Sequence, residues 1–157
     1  MTEQQQVADD GVLTRIGQAT MLLHGGDREE ARNRFVELWG QLGPEGDPLH
    51  RCTLAHYLAD AQDDPDAELA WDLRALLAAE ELYGERSAGH DSAVALRALY
   101  PSLHLNLAAD YLKLQRLDAA RVHLDRARVA SEALDDDGYG NGVRAAIERL
   151  EARLRGR

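Results

Sequence analysis

Apolar residues recur at three- and four-residue intervals along nearly the whole chain, the spacing of one face of an α-helix. Val12, Leu13, Ile16, Ala19, Leu22 and Leu23 form the first stripe, which Gly25-Gly26 stops. Residues 1–9 are polar and lack this period, so they read as a flexible tail with structure expected from Asp9 or Asp10. Asp27, with Glu30 three residues on, has capping-box spacing and opens a second helix through Ala31, Phe35, Leu38 and Leu42, closed by Gly43-Pro44. Asp47-Pro48 and Asp64-Pro65 each place a capping acid before a proline at the first helical position, where its missing N–H costs nothing. The first opens a stripe of Leu49, Cys52, Leu54, Ala55 and Leu58; the second runs through Ala67, Trp71, Leu73, Leu76, Leu77 and Leu82.

Residues 84–89 read as a loop, and Asp91 or Ser92 restarts a helix through Val94, Leu96 and Leu99. Pro101 removes a backbone hydrogen bond there, so a kink or short break is expected. Beyond it follow Leu103, Leu105, Leu107, Ala108, Tyr111 and Leu112, a turn at Gln115-Arg116, and a helix through Ala120, Leu124, Ala127 and Leu134. Residues 135–142 are acidic and glycine-rich, hence a loop, before a last stripe of Val143, Ile147, Leu150 and Leu154. That stripe is expected to cap the helix of Leu124 and Leu134 rather than to form a dimer contact. No strand alternation occurs, so the chain reads as all-α, about seven helices in antiparallel hairpins. Residues 10–137 form the helical domain and 138–157 its C-terminal capping helix.

The hairpins share a pattern. Ala31, Ala67 and Ala120 each have an alanine twelve residues upstream, at Ala19, Ala55 and Ala108. Three residues after the upstream alanines stand Leu22, Leu58 and Tyr111, and four after the downstream ones stand Phe35, Trp71 and Leu124. Alanine lets two helices approach closely while the large residues fill the space beside the crossing. The segments LNLAADYLKLQRLDAARVHLDRA (residues 105–127), MLLHGGDREEARNRF (21–35) and LAHYLADAQDDPDAELAW (54–71) carry it. The pattern resembles the tetratricopeptide repeat, with partly extended units like those of kinesin light chains, over roughly residues 13–134. The resemblance implies a short α-solenoid whose first helices line a concave surface that holds a peptide.

Charge narrows the partners. Eighteen Lys and Arg against 28 Asp and Glu give a formal charge of −10, which disfavours nucleic acid and anionic membranes. Cys52 is the only cysteine, so no internal disulfide forms, and a cytoplasmic location is expected. No stretch has the length of a membrane helix. Arginine outnumbers lysine almost entirely, Lys113 being the one lysine, as in GC-rich bacterial genomes.

Chemical motifs are sparse. Cys52, His56, His50 and Asp60 could be imagined around a metal, but HExxH and Glu-x-x-His are missing. The glycines at 25–26 and 138–142 follow no strand and lack the P-loop lysine. Ser87, His90 and Ser92 lie close in sequence without a further triad signal. The acidic run Asp60, Asp63, Asp64, Asp66 and Glu68 reads as a solvated face. The expectation is a non-enzymatic interaction module without cofactor or metal, binding a protein or peptide, with a homodimer as the alternative and a small metal-dependent enzyme as the least favoured. Its expected groove carries Ile16, Thr20, His24, Cys52, His56, Leu105, Asn106 and Lys113, with Leu13, Asp60 and Ala109 on the same face.

Overall fold

The computed structural model describes residues 3–84 and 90–156. Among them are seven helices: α1 (Glu3–His24), α2 (Arg28–Leu42), α3 (Pro48–Asp60), α4 (Pro65–Gly84), α5 (His90–Lys113), α6 (Leu117–Ser131) and α7 (Gly138–Arg155). Each packs on the next in sequence; α1 also touches α3, α3 touches α5, and α5 touches α7, while on the other side Trp39 of α2 meets Trp71 of α4 edge to face with ring centroids 5.2 Å apart. The odd-numbered helices thus form one layer and the even-numbered helices the other, an all-α stack of antiparallel hairpins.

Turn chemistry sets the hairpins. After α1, Gly26 N–H donates to Leu23 O and Asp27 N–H to Leu22 O, with Gly26 in the left-handed region at φ 91°. After α5, Gln115 N–H donates to Leu112 O and Arg116 N–H to Tyr111 O, with Gln115 at φ 60°. Both are the same helix-ending motif, and the carbonyls that accept, Leu22 and Tyr111, are equivalent positions in the repeat. The middle hairpin uses a side chain instead. Arg28 of α2 donates to the carbonyls of Asp60 and Gln62 and pairs with Asp63 at 3.1 Å, clamping the α3–α4 turn.

The proline-marked starts form as their chemistry dictates. The Asp47 side chain accepts from Leu49 and His50 N–H, and Asp64 accepts from Ala67 N–H at 3.1 Å. Asp27 precedes α2, yet its side chain makes no cap bond, so the expected capping box is not formed. Three boundaries differ from expectation. α1 begins at Glu3, so the tail expected over residues 1–9 is helical from Glu3 on. Its glutamines, glutamate and alanine are good helix formers, and extending an existing helix needs no apolar face. α5 runs unbroken through Pro101, whose ring is fully buried, so no break occurs there. α7 begins at Gly138, inside the expected loop: Asp137 caps it by accepting from Gly140 N–H at 2.8 Å. A Cβ on Gly140 would stand 2.2 Å from the Asp135 carbonyl oxygen, which is why glycine occupies that turn. The loop expected over residues 84–89 lies outside the described residues, apart from Gly84, which closes α4.

Five of the six repeat alanines lie in the core between helices. Ala19, Ala31, Ala55, Ala108 and Ala120 are completely buried. Ala67 is only half-buried; in that hairpin Ala55 packs with Ala75, Ala78 and Ala79, so the close approach lies farther along α4. Replacing Ala108 or Ala120 by Leu should overpack the α5–α6 contact and cost about 1–3 kcal/mol. Thermal melts should show this loss, with exposed Ala152→Leu unchanged; equal melting temperatures for all three would refute the assignment.

α7 closes the stack. Val143, Ile147, Leu150 and Leu154 are buried against Ala108, Leu112, Leu124 and Ala127. Arg144 donates to the Ser131 and Leu134 carbonyls at the end of α6, and Tyr139 Oη donates to Ala98 O of α5 at 2.6 Å.

Candidate functional site

The crossing alanines fix which way each odd helix faces. Ile16, Cys52 and Leu105 each precede a crossing alanine by three residues, nearly a full turn, so they share its inward face. Ile16 (3% exposed) and Cys52 (1%) are core residues, and Leu105 is half-buried against the α5–α7 cluster. Ile16 and Cys52 therefore do not line the expected groove, whereas Leu105 stands half-buried, as Asn106 beside it does. Burial also pushes the Cys52 thiol up to about 12, keeping it protonated.

The polar members fall on another face. Gly17, Thr20 and His24 on α1, Thr53, His56 and Asp60 on α3, and Asn106, Ala109 and Lys113 on α5 occupy equivalent positions: two before, one after and five after the crossing alanine. Asn106 Nδ2 and His56 Nδ1 meet at 3.2 Å, joining this face across α3 and α5. Asp60 lies within electrostatic reach of His56, His24 and Glu68; burial is the main force raising its carboxyl. Thr20 and Thr53 donate their hydroxyls back to Ile16 O (2.8 Å) and Leu49 O (2.9 Å) on their own helices. Exposed Leu13 lies one turn before Gly17.

At the end of this face lies a feature that sequence reasoning missed. Leu69, Asp72 and Leu76 form one stripe on α4, and Leu107, Asp110 and Leu114 one on α5. The leucines of the two stripes belong to a single apolar cluster, which brings the two aspartates together at its centre. Asp72 is 3% and Asp110 2% exposed. Burial pushes the Asp72 carboxyl up to about 10, reinforced by its hydrogen bond to Asp110 and by the charge of Asp110. Burial raises Asp110 less, to about 6, because the bond from Asp72 favours its ionised form. The pair shares one proton, and Asp72 Oδ1 and Asp110 Oδ2 have no hydrogen-bond partner. Lys113 Nζ bridges Glu68 Oε1 at 2.7 Å on the same seam. The acidic run thus divides: Asp60 and Glu68 face this pair, while Asp63 pairs with Arg28 and Arg32, and Asp64 caps α4. The sequence signal was an acid inside each of two leucine stripes.

A second cluster lies between α5 and α6. His104 and His123 meet Nδ1 to Nδ1 at 3.1 Å, one ring donating and the other accepting. Their rings continue into Tyr100 and Tyr111 at centroid separations of 4.8 and 5.5 Å. Burial, then His123 and Arg126, hold His104 down at about 4, so the pair is neutral at physiological pH. Tyr100 and His104 also line an open groove of about 570 Å³ with Glu80, Asp125, Arg126, Val129 and Ala130.

Among the described residues no group of three or more His, Cys, Asp or Glu is arranged to hold a metal ion. No helix among them is long and apolar enough to cross a membrane. Fold and face together define a stack of helical hairpins whose odd-numbered helices share one polar face. Comparison with protein-family models, curated proteins and solved structures gives no match.

Proposed function

We propose that the protein is a tetratricopeptide-like interaction module that holds an extended segment of another protein across the polar face of α1, α3 and α5. The observation that carries this reading is the repetition of the same three face positions on three neighbouring helices, joined by the His56–Asn106 bond. An amide has a second N–H and a carbonyl oxygen beyond that bond, and an imidazole a second nitrogen, the groups that pair with peptide backbone. The clustering of odd helices in one layer gives such a segment a continuous track.

A photo-crosslinking amino acid at Gly17, where a Cβ meets no atom within 4 Å, or at exposed His24 should yield adducts with another protein. The same group at Val122, exposed on α6, should not. Asn106→Ala should weaken the Gly17 adduct while costing stability only the about 0.5–1.5 kcal/mol of one hydrogen bond. Adducts from Val122 alone, or adducts consisting only of a second copy of this chain, would overturn the reading in favour of another surface or of self-association.

A further inference from the structure

The polar face ends in more negative charge than its own cation neutralises. Glu68 and Asp72 are four apart on α4, and Asp110 and Lys113 three apart on α5, so each pair shares one helix face. The Lys113–Glu68 bridge therefore lies one turn along the same α4–α5 seam as the Asp72–Asp110 pair. Asp60 reaches both aspartates electrostatically from the end of α3. Behind the bridge, Asp72 Oδ1 and Asp110 Oδ2 are closed off from solvent, with no donor on them among the described residues. Two buried carboxyls with unpartnered oxygens, beside a single exposed lysine, leave this seam short of positive charge. They are not among any metal-holding group of the described residues. The Lys113 side chain, which pairs with Glu68 on this seam, is 49% exposed, and bridges of that kind are weak.

We propose that Asp60, Glu68, Asp72 and Asp110 form the recognition site for an arginine side chain of the bound segment, and that Lys113 stands in for its cation in the free protein. Arginine fits better than lysine. Its planar guanidinium pairs with carboxylates two bonds at a time and is weakly hydrated, so it enters a half-buried seam at less cost. Entry displaces Lys113 from Glu68 and supplies donors along the seam toward the aspartate pair. Lys113 is then a competitor of the ligand, a role opposite in sign to that of an ordinary groove contact. The inference rests on the proposed segment-binding face.

The test is anisotropy of a fluorescein-labelled Ala-Ala-Arg-Ala-Ala peptide titrated with the full chain, each variant's fold being checked by circular dichroism. Lys113→Met should tighten binding and Asp110→Asn weaken it, each by about fivefold or more, as removal of a close charge does. Arg121→Met and Asp118→Asn make the same charge changes on α6 and should leave binding within about twofold, as rim charges do. The peptide with Gln in place of Arg should not bind. Equal effects of the α5 and α6 variants would reduce the attraction to net charge and overturn the proposal, as would absence of binding at millimolar protein. Adducts at Gly17 without arginine-peptide binding would refute this site alone; the variant pattern without such adducts would refute the segment-binding face alone.

Discussion

Cutting the chain after Asp137 is expected to give a protein that aggregates or melts far below the full-length chain. The loss follows from what α7 covers. Val143, Ile147, Leu150 and Leu154 are all buried in one cluster with Leu124 and Ala127 of α6 and Ala108 and Leu112 of α5. Burying such a side chain contributes roughly 1.5–3 kcal/mol, and a whole domain is held folded by only about 5–15 kcal/mol. Truncation also deletes Arg144, which satisfies carbonyls at the end of α6, and the Arg128–Glu151 pair. Terminal units of stacked-helix proteins need a cover with a polar outer side, and the arginines and glutamates of α7 provide it. Chemical denaturation and light scattering check the prediction, with Ile147→Ala as the milder variant, expected to cost about 2–5 kcal/mol. A truncated chain that is a clean monomer of undiminished stability, from a full-length chain that is a dimer, would make α7 a subunit contact instead.

Helix positions were legible because capping acids, prolines and glycines act locally. Asp47-Pro48 and Asp64-Pro65 mark the starts of α3 and α4 to the residue, and Gly26 falls in the left-handed turn after α1. The hidden start of α7 shows the limit. Gly138, Gly140 and Gly142 read as loop residues, but the Asp137 cap and the close passage of Asp135 turn them into a first helical turn. The polar face of the odd helices was legible only in part, because facing depends on the partner helix. Thr20, His24, His56, Asn106 and Lys113 lie on it, while Ile16 and Cys52, one turn from the crossing alanines, are buried in the core and Leu105 is half-buried against the last helices. The aspartate pair needed tertiary knowledge of another kind. A single acid in a leucine stripe can face solvent at the stripe's edge, and only the pairing of two stripes shows that Asp72 and Asp110 meet. His104 and His123 escaped for the same reason: each is ordinary alone, and the α5–α6 hairpin places them nitrogen to nitrogen.

Raising the pH from 7 to 9 should destabilise the protein by roughly 3 kcal/mol through one residue, Asp72, and Asp72→Asn should remove most of that loss. Folding raises both carboxyls of the pair, Asp72 to about 10 and Asp110 to about 6. Each contributes stability that is full below the ordinary carboxylate range near pH 4 and is lost as the pH climbs through its folded value. The loss through Asp110 is therefore complete near neutrality, while Asp72 still holds its proton when an unfolded chain would not. A difference of one bound proton changes stability by about 1.4 kcal/mol per pH unit, hence the figure for two units. The groups facing the pair are Asp60 on α3, Glu68 on α4 and Lys113 on α5, and none of the carboxylates among them eases the second ionisation. His104 works in the opposite direction: held down at about 4, it gives stability that is full above its ordinary range near 6.5 and is lost on acidification toward 4. The two slopes overlap between pH 4 and 6.5; on the alkaline arm Cys52, protonated up to about 12 in the fold, adds its own loss only from about pH 8.5 upward, so Asp72 dominates between pH 7 and 9. Asparagine keeps an N–H to donate to Asp110 and cannot ionise, so urea midpoints of Asp72→Asn should fall less between pH 7 and 9 than those of the unaltered chain. Parallel curves would mean that Asp72 is already ionised at pH 7 and that the seam between α4 and α5 tolerates both charges.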